Sequence, residues 1–346
     1  MPVLLNRMKA WKYTIKLGAS RASAKEFSEY LQKIVILGLK NHNFLSFLKL
    51  PHTFSDIKNE FKVTDDNFLY LLLDTLLSDK TIEKTNNGSF FLKKSLDIEL
   101  ITPPKVLEKP LQEMLENSAK AVFNRLYHKF HDASSGFNLF VFEDALSLQS
   151  YENIRRAAIS FVPDAIENPG RFLDLGCGSG METADFWVQI MEKCNFQPKD
   201  GFKLIGIDIN DDFINIANSE FYYIIKKYSD LTEDTYLDLK AYHPEFKKGT
   251  STQIPFPNNY FDNIFISQVL HWTDLKASLA EMYSCLKPGG ICFGTNILYP
   301  FVDPYLNIIV NTFEGAGGFF TKNEMKTRAK QIGFNNLKFC TPLSVF

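Results

Sequence analysis

The chain has 346 residues, a formal net charge of −2 and 45% hydrophobic residues, which suits a globular protein of two domains. The near-neutral charge argues against a surface built as a whole for a polyanion, and no apolar run is long enough to span a bilayer. The five cysteines are widely spaced and form no CxxC or Cys/His cluster, so they predict reduced thiols, no metal site and a cytoplasmic location.

The N-terminal 25 residues are basic and contain no acid. Their six basic residues are Arg7, Lys9, Lys12, Lys16, Arg21 and Lys25. This pattern favours a solvated basic helix. An organellar targeting peptide and a helix in weak contact with a membrane surface are the alternatives.

Residues 24–94 are predicted to form helix, short helix, helix and hairpin. Apolar residues recur at helical spacing over 24–48, and the short helix "TFSDIKNEF" has Ser55 as a candidate N-cap. The next helix, "VTDDNFLYLLLDTLL", has Thr64 as its candidate N-cap, and two strand-like pieces flank Asn87-Gly88. This is the element order of a winged helix.

A winged helix raises the possibility of DNA binding, which the charges disfavour. The third helix opens with Asp65 and Asp66, and Asp74 and Asp79 follow. Carboxylates would repel the phosphates that a recognition helix must approach, so a nucleic-acid partner is not expected.

A proline-rich segment, residues 101–110, is typical of a linker. We therefore predict a helical, winged-helix-like domain over 1–110, connecting helices over 111–160 and a third domain over 161–346. The third domain contains the residue patterns that indicate chemistry.

A glycine-rich turn follows the predicted strand "RFLDLG", which ends at Asp174, and the helix "METADFWVQIMEKC" comes next. Bare backbone at this turn would let a ligand lie against the free N–H groups of the helix. The spacing is not that of the dinucleotide fingerprint G-x-G-x-x-G, and Asp174 would repel a pyrophosphate but attract an α-amino group. A second strand, "FKLIGIDI", ends in Asp208, where a carboxylate can accept two ribose hydroxyls.

Four motifs occur in order over roughly residues 171–340: "FLDLGCGSG", "IGIDI", "QIPFPNNYFDNIFISQVLHW" and "EMYSCLKPGG". Together they resemble the S-adenosylmethionine (SAM)-dependent methyltransferases with the Rossmann-like fold. The resemblance implies an α/β fold, with a seven-stranded, mostly parallel sheet and helices on both faces.

The resemblance also implies which residues bind the cofactor. The methionine part would be held at Asp174 and the turn residues Gly176, Cys177, Gly178 and Gly180, and the ribose at Asp208. Ile209 would contact the adenine. Thr250 stands where an acid is expected to bond the adenine amino group, and Ser251 follows it.

Further residues are predicted near the reactive methyl group, because strand ends in a parallel sheet face the ligand crevice. Ser267 and Gln268 follow the fourth strand, and His271 is either a general base or a residue that shapes the pocket. Trp272, together with Tyr127 and His131, which are four apart on a helix, would line the acceptor pocket.

We therefore predict methylation of a small molecule, at oxygen, with SAM as cofactor. The N-terminal domain would cover the active site or build a homodimer, as in similar two-domain O-methyltransferases. The alternatives are a protein or nucleic-acid methyltransferase docked through the winged helix, and a regulatory protein that binds SAM without turnover. An NAD oxidoreductase is disfavoured by the glycine spacing.

Overall fold

The computed structural model describes residues 21–93, 102–104, 109–129, 155–156, 158–299, 302–313 and 315–339. These residues belong to two compact units. One unit draws on segments 20–142 and 300–319, and the other on 143–299 and 320–345. The predicted boundaries near 110 and 160 stay a prediction, and residues 300–319 cluster with the N-terminal segments.

One unit is mainly helical, and the other contains both helices and strands in an α/β arrangement. The helices are α1 (Arg21–Asn41), α2 (Phe44–Phe47), α3 (Phe54–Glu60), α4 (Asp66–Ser78), α5 (Lys109–Arg125), α6 (Asp164–Glu167), α7 (Met181–Lys193), α8 (Asp211–Ile225), α9 (Glu233–Asp238), α10 (Leu275–Cys285), α11 (Pro304–Val310) and α12 (Lys322–Ile332). The strands are β1 (Ile82–Lys84), β2 (Phe90–Leu92), β3 (Arg171–Leu175), β4 (Lys203–Asp208), β5 (Glu245–Lys248), β6 (Phe261–Ser267) and β7 (Leu286–Thr295). Within the described residues, no helix combines the length and the apolar character that a bilayer crossing would need.

The helical unit contains the predicted hairpin. Strands β1 and β2 pair antiparallel with Lys84 opposite Phe90, and Gly88 in the turn has a φ of 87°. The two predicted caps are each displaced. Thr53 caps α3 in place of Ser55, and Asp65 caps α4 in place of Thr64, because these residues have extended backbone and a side chain that accepts a main-chain N–H.

The α/β unit contains a parallel sheet of five strands among the described residues, in the order β5-β4-β3-β6-β7. Each neighbouring pair is parallel. The Rossmann-like α/β class is therefore confirmed, and the predicted number of seven strands is not found in this part of the chain. The predicted last strand, "LKFC", has no partner strand through Phe339, and Leu337 packs against the core through its side chain instead.

Alternating residues of the strands cover both faces of this sheet. Phe172 of β3 points to one core cluster, which includes residues of α7 and α8. Leu173 and Leu175 point to a second cluster, which includes residues of α10 and α12. A parallel sheet with both faces buried is the expected product of strands joined by crossover helices, and it brings the carboxyl ends of β3, β4 and β6 to one edge.

Candidate cofactor site

The glycine turn after β3 is held by main-chain contacts and leaves no room for a side chain at Gly176. The N–H groups of Gly176 and Cys177 both donate to the carbonyl oxygen of Ile207, at 2.8 and 3.0 Å. A Cβ atom on Gly176 would lie 2.3 Å from Cγ2 of Val269, and the φ of Gly176 is +78°. Part of the requirement for glycine therefore comes from the neighbouring loop, because that loop packs against the turn.

Asp174 ends β3 as a buried carboxylate. It is 2% exposed, and one of its oxygens accepts the Thr183 hydroxyl at 2.6 Å. Burial, followed by the charge of Glu182, raises the pKa of Asp174 to about 8, although Thr183 and Arg155 act in the opposite direction. The carboxyl is thereby joined to the first turn of α7, and a cation brought there would relieve its unfavourable burial.

Asp208 ends β4 and links the two neighbouring turns. One carboxylate oxygen accepts the N–H of Gly178 at 3.0 Å, and the other accepts the N–H of Asn210 at 2.9 Å. Burial raises the pKa of Asp208, whereas these main-chain hydrogen bonds lower it. The main-chain N–H of Ile209 also acts on this carboxylate, which has about four lone-pair sites in all, so it can still accept a hydrogen bond from a ribose hydroxyl.

The residues predicted near the adenine differ in their exposure to solvent. Ile209 is 66% exposed directly after β4, which leaves its side chain open to a ligand. The Thr250 hydroxyl lies 3.2 Å from that of Thr252. Ser251 is buried, and its hydroxyl lies 2.7 Å from the Ser278 hydroxyl, so it joins the loop after β5 to α10.

The ends of β6 and β7 are joined through one hydroxyl group. The Ser267 and Thr295 hydroxyls lie 2.7 Å apart, and the side-chain amide of Gln268 donates to the same Thr295 oxygen at 3.2 Å. Gln268 has a φ of 54°, an uncommon conformation for a residue other than glycine. Such strain is often found at ligand sites, and here it turns the chain sharply at the sheet edge.

His271 and Trp272 lie in the short 3₁₀ turn that follows β6. His271 is 4% exposed, and its Nδ1 lies 3.4 Å from Oδ1 of Asn296. Burial lowers the pKa of His271 to about 4, against the opposing effect of Asn296. The imidazole is therefore neutral near pH 7, and its ring centroid lies 4.9 Å from that of Trp272.

Residues 173–294 match the family of methyltransferase domains, and this match begins one residue before Asp174 and ends at the tip of β7. The chain contains a SAM-dependent methyltransferase domain. The buried carboxylate of Asp174 and the glycine turn fit the amino-acid part of that cofactor, and Asp208 fits its ribose.

Curated relatives match part of the chain. Over 138 residues the chain is 30% identical to the ubiquinone/menaquinone biosynthesis C-methyltransferase UbiE of Vibrio cholerae. The aligned stretch covers 39% of this chain and 45% of the relative. Over 120 residues it is 31% identical to the sterol 24-C-methyltransferase of Pneumocystis carinii, which covers 34% of this chain and 26% of the relative. The chain thus spans less than half the length of these relatives.

Solved structures resemble the fold over nearly the whole chain. The CurJ carbon methyltransferase superposes with a TM-score of 0.67 at 15% identity, covering 96% of this chain and 92% of its own. An O-methyltransferase family 2 protein from Planctomyces limnophilus, in complex with apigenin, has a TM-score of 0.51 at 15% identity, covering 93% of this chain and 89% of its own. At these identities the likeness concerns the fold alone.

The residues predicted to line the acceptor pocket lie in different parts of the chain. Trp272 belongs to the methyltransferase domain. Tyr127 belongs to the other compact unit, where its ring packs edge-to-face on Phe123 at 5.7 Å. His131 lies outside the described residues. The acceptor roles of all three stay predictions.

Sequence reasoning missed three polar residues around Asp174. Thr183 and Glu182 open α7, and Arg155 lies 3.1 Å from Glu182 with 4% of its side chain exposed. The pair "ET" in the first turn after the glycines was a usable signal, because hydroxyl and acidic groups prefer helix N-termini. Arg155 had no such signal, since its position beside α7 depends on the packing of a distant segment.

Proposed function

We propose that this protein methylates a carbon atom of a small-molecule acceptor and uses SAM as the methyl donor. The observation that carries the proposal is the match of residues 173–294 to methyltransferase domains, with Asp174 and Asp208 at the ends of adjacent strands. The choice of carbon is supported by relatives that are themselves named C-methyltransferases.

The residues of the chain bind and orient the reactants. When bound, the cofactor supplies an electrophilic methyl group on a sulfonium that departs as a neutral thioether. Asp174 would accept the ammonium group and Asp208 the ribose hydroxyls, which fixes the methyl group relative to the sheet edge. Alignment and exclusion of water then account for most of the catalysis, because in-line displacement needs little charge stabilisation.

His271 favours a carbon acceptor over a phenolic oxygen. A base with a pKa of about 4 is poorly matched to a phenol, whose ordinary pKa is near 10. An electron-rich double bond that has just received a methyl group is cationic and readily loses its proton, so a weak base is sufficient. His271 would accept that proton or hand it to water.

Methylation at oxygen is the second candidate. It is the outcome that the sequence analysis predicts, and it is favoured by the similarity of the fold to an O-methyltransferase over 93% of this chain. The small-molecule acceptor, the cytoplasmic location and the homodimer also belong to this proposal. The four cysteines within the described residues are free thiols, which supports a reducing compartment.

The experiment uses SAM carrying a ¹³C methyl group, with a quinol, an alkene, a 1,3-dicarbonyl and a phenol as acceptors. We expect product with a carbon-bound methyl group, identified by its ¹³C chemical shift, from at least one of the first three. Product from the phenol alone would favour oxygen. The Asp208→Ala variant serves as the binding control, and it should weaken the affinity for S-adenosylhomocysteine by about 1.5–3 kcal/mol.

A further inference from the structure

Carboxyl groups outnumber the cationic groups that act on Asp174 at the end of β3. Asp174 is 2% exposed, and Glu182 lies beside it on α7 with 17% of its side chain exposed. The guanidinium of Arg155 lies 3.1 Å from Glu182 and forms an ion pair with that second carboxylate. Asp208 of β4 adds a further carboxylate within electrostatic range of Asp174.

The groups that act electrostatically on Asp174 come from several elements, whereas its partner on β6, Phe265, is apolar. Helix α7 contributes the Glu182 carboxylate and the neutral Thr183 hydroxyl, and the segment before β3 contributes Arg155. Strand β4 contributes Asp208. The Cys177 thiol in the glycine turn stays protonated, because burial and the neighbouring carboxylates raise its pKa well above the ordinary value. The group that would balance Asp174 is therefore not supplied by these residues.

We propose that Asp174 is a neutral carboxylic acid in the free protein and exchanges its proton for the ammonium group of the cofactor. The carboxyl proton goes to solvent. The ammonium group keeps its three protons and forms an ion pair with the resulting carboxylate, so protons and charges balance. This inference rests on the proposed function, because it concerns the same cofactor at the same site.

Thr183 is the positioning residue of this exchange. Its hydroxyl donates to Oδ2 of Asp174 at 2.6 Å, and Thr183 itself is 0% exposed. The bond keeps one carboxyl oxygen turned toward α7 and leaves the other to carry the proton or to meet the ammonium group. A hydroxyl donor stabilises the ionised carboxylate, so it also sets the pH at which the exchange becomes easy.

The exchange makes the affinity for the cofactor fall as the pH is lowered. With a pKa of about 8 in the free protein, most molecules carry the proton at pH 7. Because that proton must leave before the ammonium group binds, the dissociation constant should rise about tenfold for each pH unit lowered below 7.

The experiment is titration calorimetry with S-adenosylhomocysteine from pH 5.5 to 7.5, in two buffers of different ionisation enthalpy. This ligand has the ammonium group but no sulfonium, so the ammonium is the only fixed positive charge that it brings to the site. At pH 7 we expect release of close to one proton, about 0.9. The matched ligand 5′-methylthioadenosine lacks the amino-acid part, so any pH dependence that it shares with S-adenosylhomocysteine belongs to the ribose contact of Asp208, whose pKa is also raised, and only the remainder belongs to Asp174.

Three variants separate the positioning role from a general loss of structure. Asp174→Asn should bind S-adenosylhomocysteine weakly, without proton release or pH dependence beyond those of 5′-methylthioadenosine. Thr183→Val should move the pH dependence to higher pH, so that binding at pH 7 weakens severalfold while 5′-methylthioadenosine binds as before. Thr183→Ser keeps the hydroxyl and should behave like the natural protein.

The outcomes distinguish the two proposals. If the dissociation constant of S-adenosylhomocysteine depends on pH no more than that of 5′-methylthioadenosine, the proton exchange is wrong and the methyltransferase function stands. If Thr183→Val weakens both ligands equally, Thr183 has only a structural role. If neither SAM nor S-adenosylhomocysteine binds at any pH, the proposed function and the exchange are both wrong.

Discussion

Gly176 shows how a single residue serves the fold and the ligand at once. Glycine spacing in the sequence was interpreted as access for a ligand, and the structure adds that Val269 occupies the space a side chain would need. Cys177, in the same turn, donates its N–H to Ile207, so the strand β4 determines the path of the turn. The turn is thus held in a ligand-ready shape before any ligand arrives.

The Gly176→Ala variant should destabilise the protein by roughly 2–4 kcal/mol, because it adds an overpacked contact to a positive φ. Gly201→Ala is the matched control, since its φ is +85° and no atom lies within 4 Å of its added Cβ. The control should lose only about 1 kcal/mol, the cost of the left-handed backbone. Urea unfolding compares the two, and equal losses would mean that the Val269 contact relaxes freely.

The helices and strands of the chain differ in how far local sequence determined them. Strands β3, β4 and β6 end at or within one residue of the predicted tips, because each is a compact apolar run bounded by polar residues. The helix N-caps were harder to predict, because several polar residues are adjacent in the sequence and only the backbone conformation decides which one caps the helix. Thr53 has a φ of −73° and a ψ of 166°, and it forms a capping box with Asp56.

The Thr53→Ala variant should destabilise the protein by about 1 kcal/mol, because it removes the acceptor for the Asp56 N–H. Ser55→Ala tests the cap that the sequence favoured, and it should change the stability by less than about 0.5 kcal/mol because Ser55 is exposed. Circular dichroism in urea measures both. A larger loss from Ser55→Ala would restore the original assignment of the cap.

The free energy of unfolding of the whole molecule is lowered by the buried carboxyl of Asp174 at the proposed binding site. The carboxyl of Asp174 has a pKa near 8 in the folded protein and near 3.9 when the chain is unfolded. Below pH 4 both states carry the proton and the group has no effect. Between pH 4 and 8 the unfolded chain ionises and the folded protein does not, so this group makes unfolding easier as the pH rises.

We therefore expect the stability difference between Asp174→Asn and the natural protein to increase in favour of the variant from pH 5 to pH 8. The increase should be roughly 3–4 kcal/mol, which follows from the difference between the folded and unfolded pKa values over this pH range. Comparing the two pH values cancels the constant effect of the amide. Urea unfolding of the free proteins measures it, and a pH-independent difference would show that Asp174 is already ionised.

The apolar runs of the chain were enough to predict strand tips near Asp174 and at Asp208, and the resemblance of four ordered motifs to a known family implied the α/β class and the cofactor. Strand tips depend on apolar spacing among near neighbours, which the sequence displays directly. The placement of Arg155 against Glu182, the packing of Val269 on Gly176 and the absence of a strand at 337–339 depend on contacts between distant segments. Such contacts follow from how all the elements pack together, and no local pattern records them.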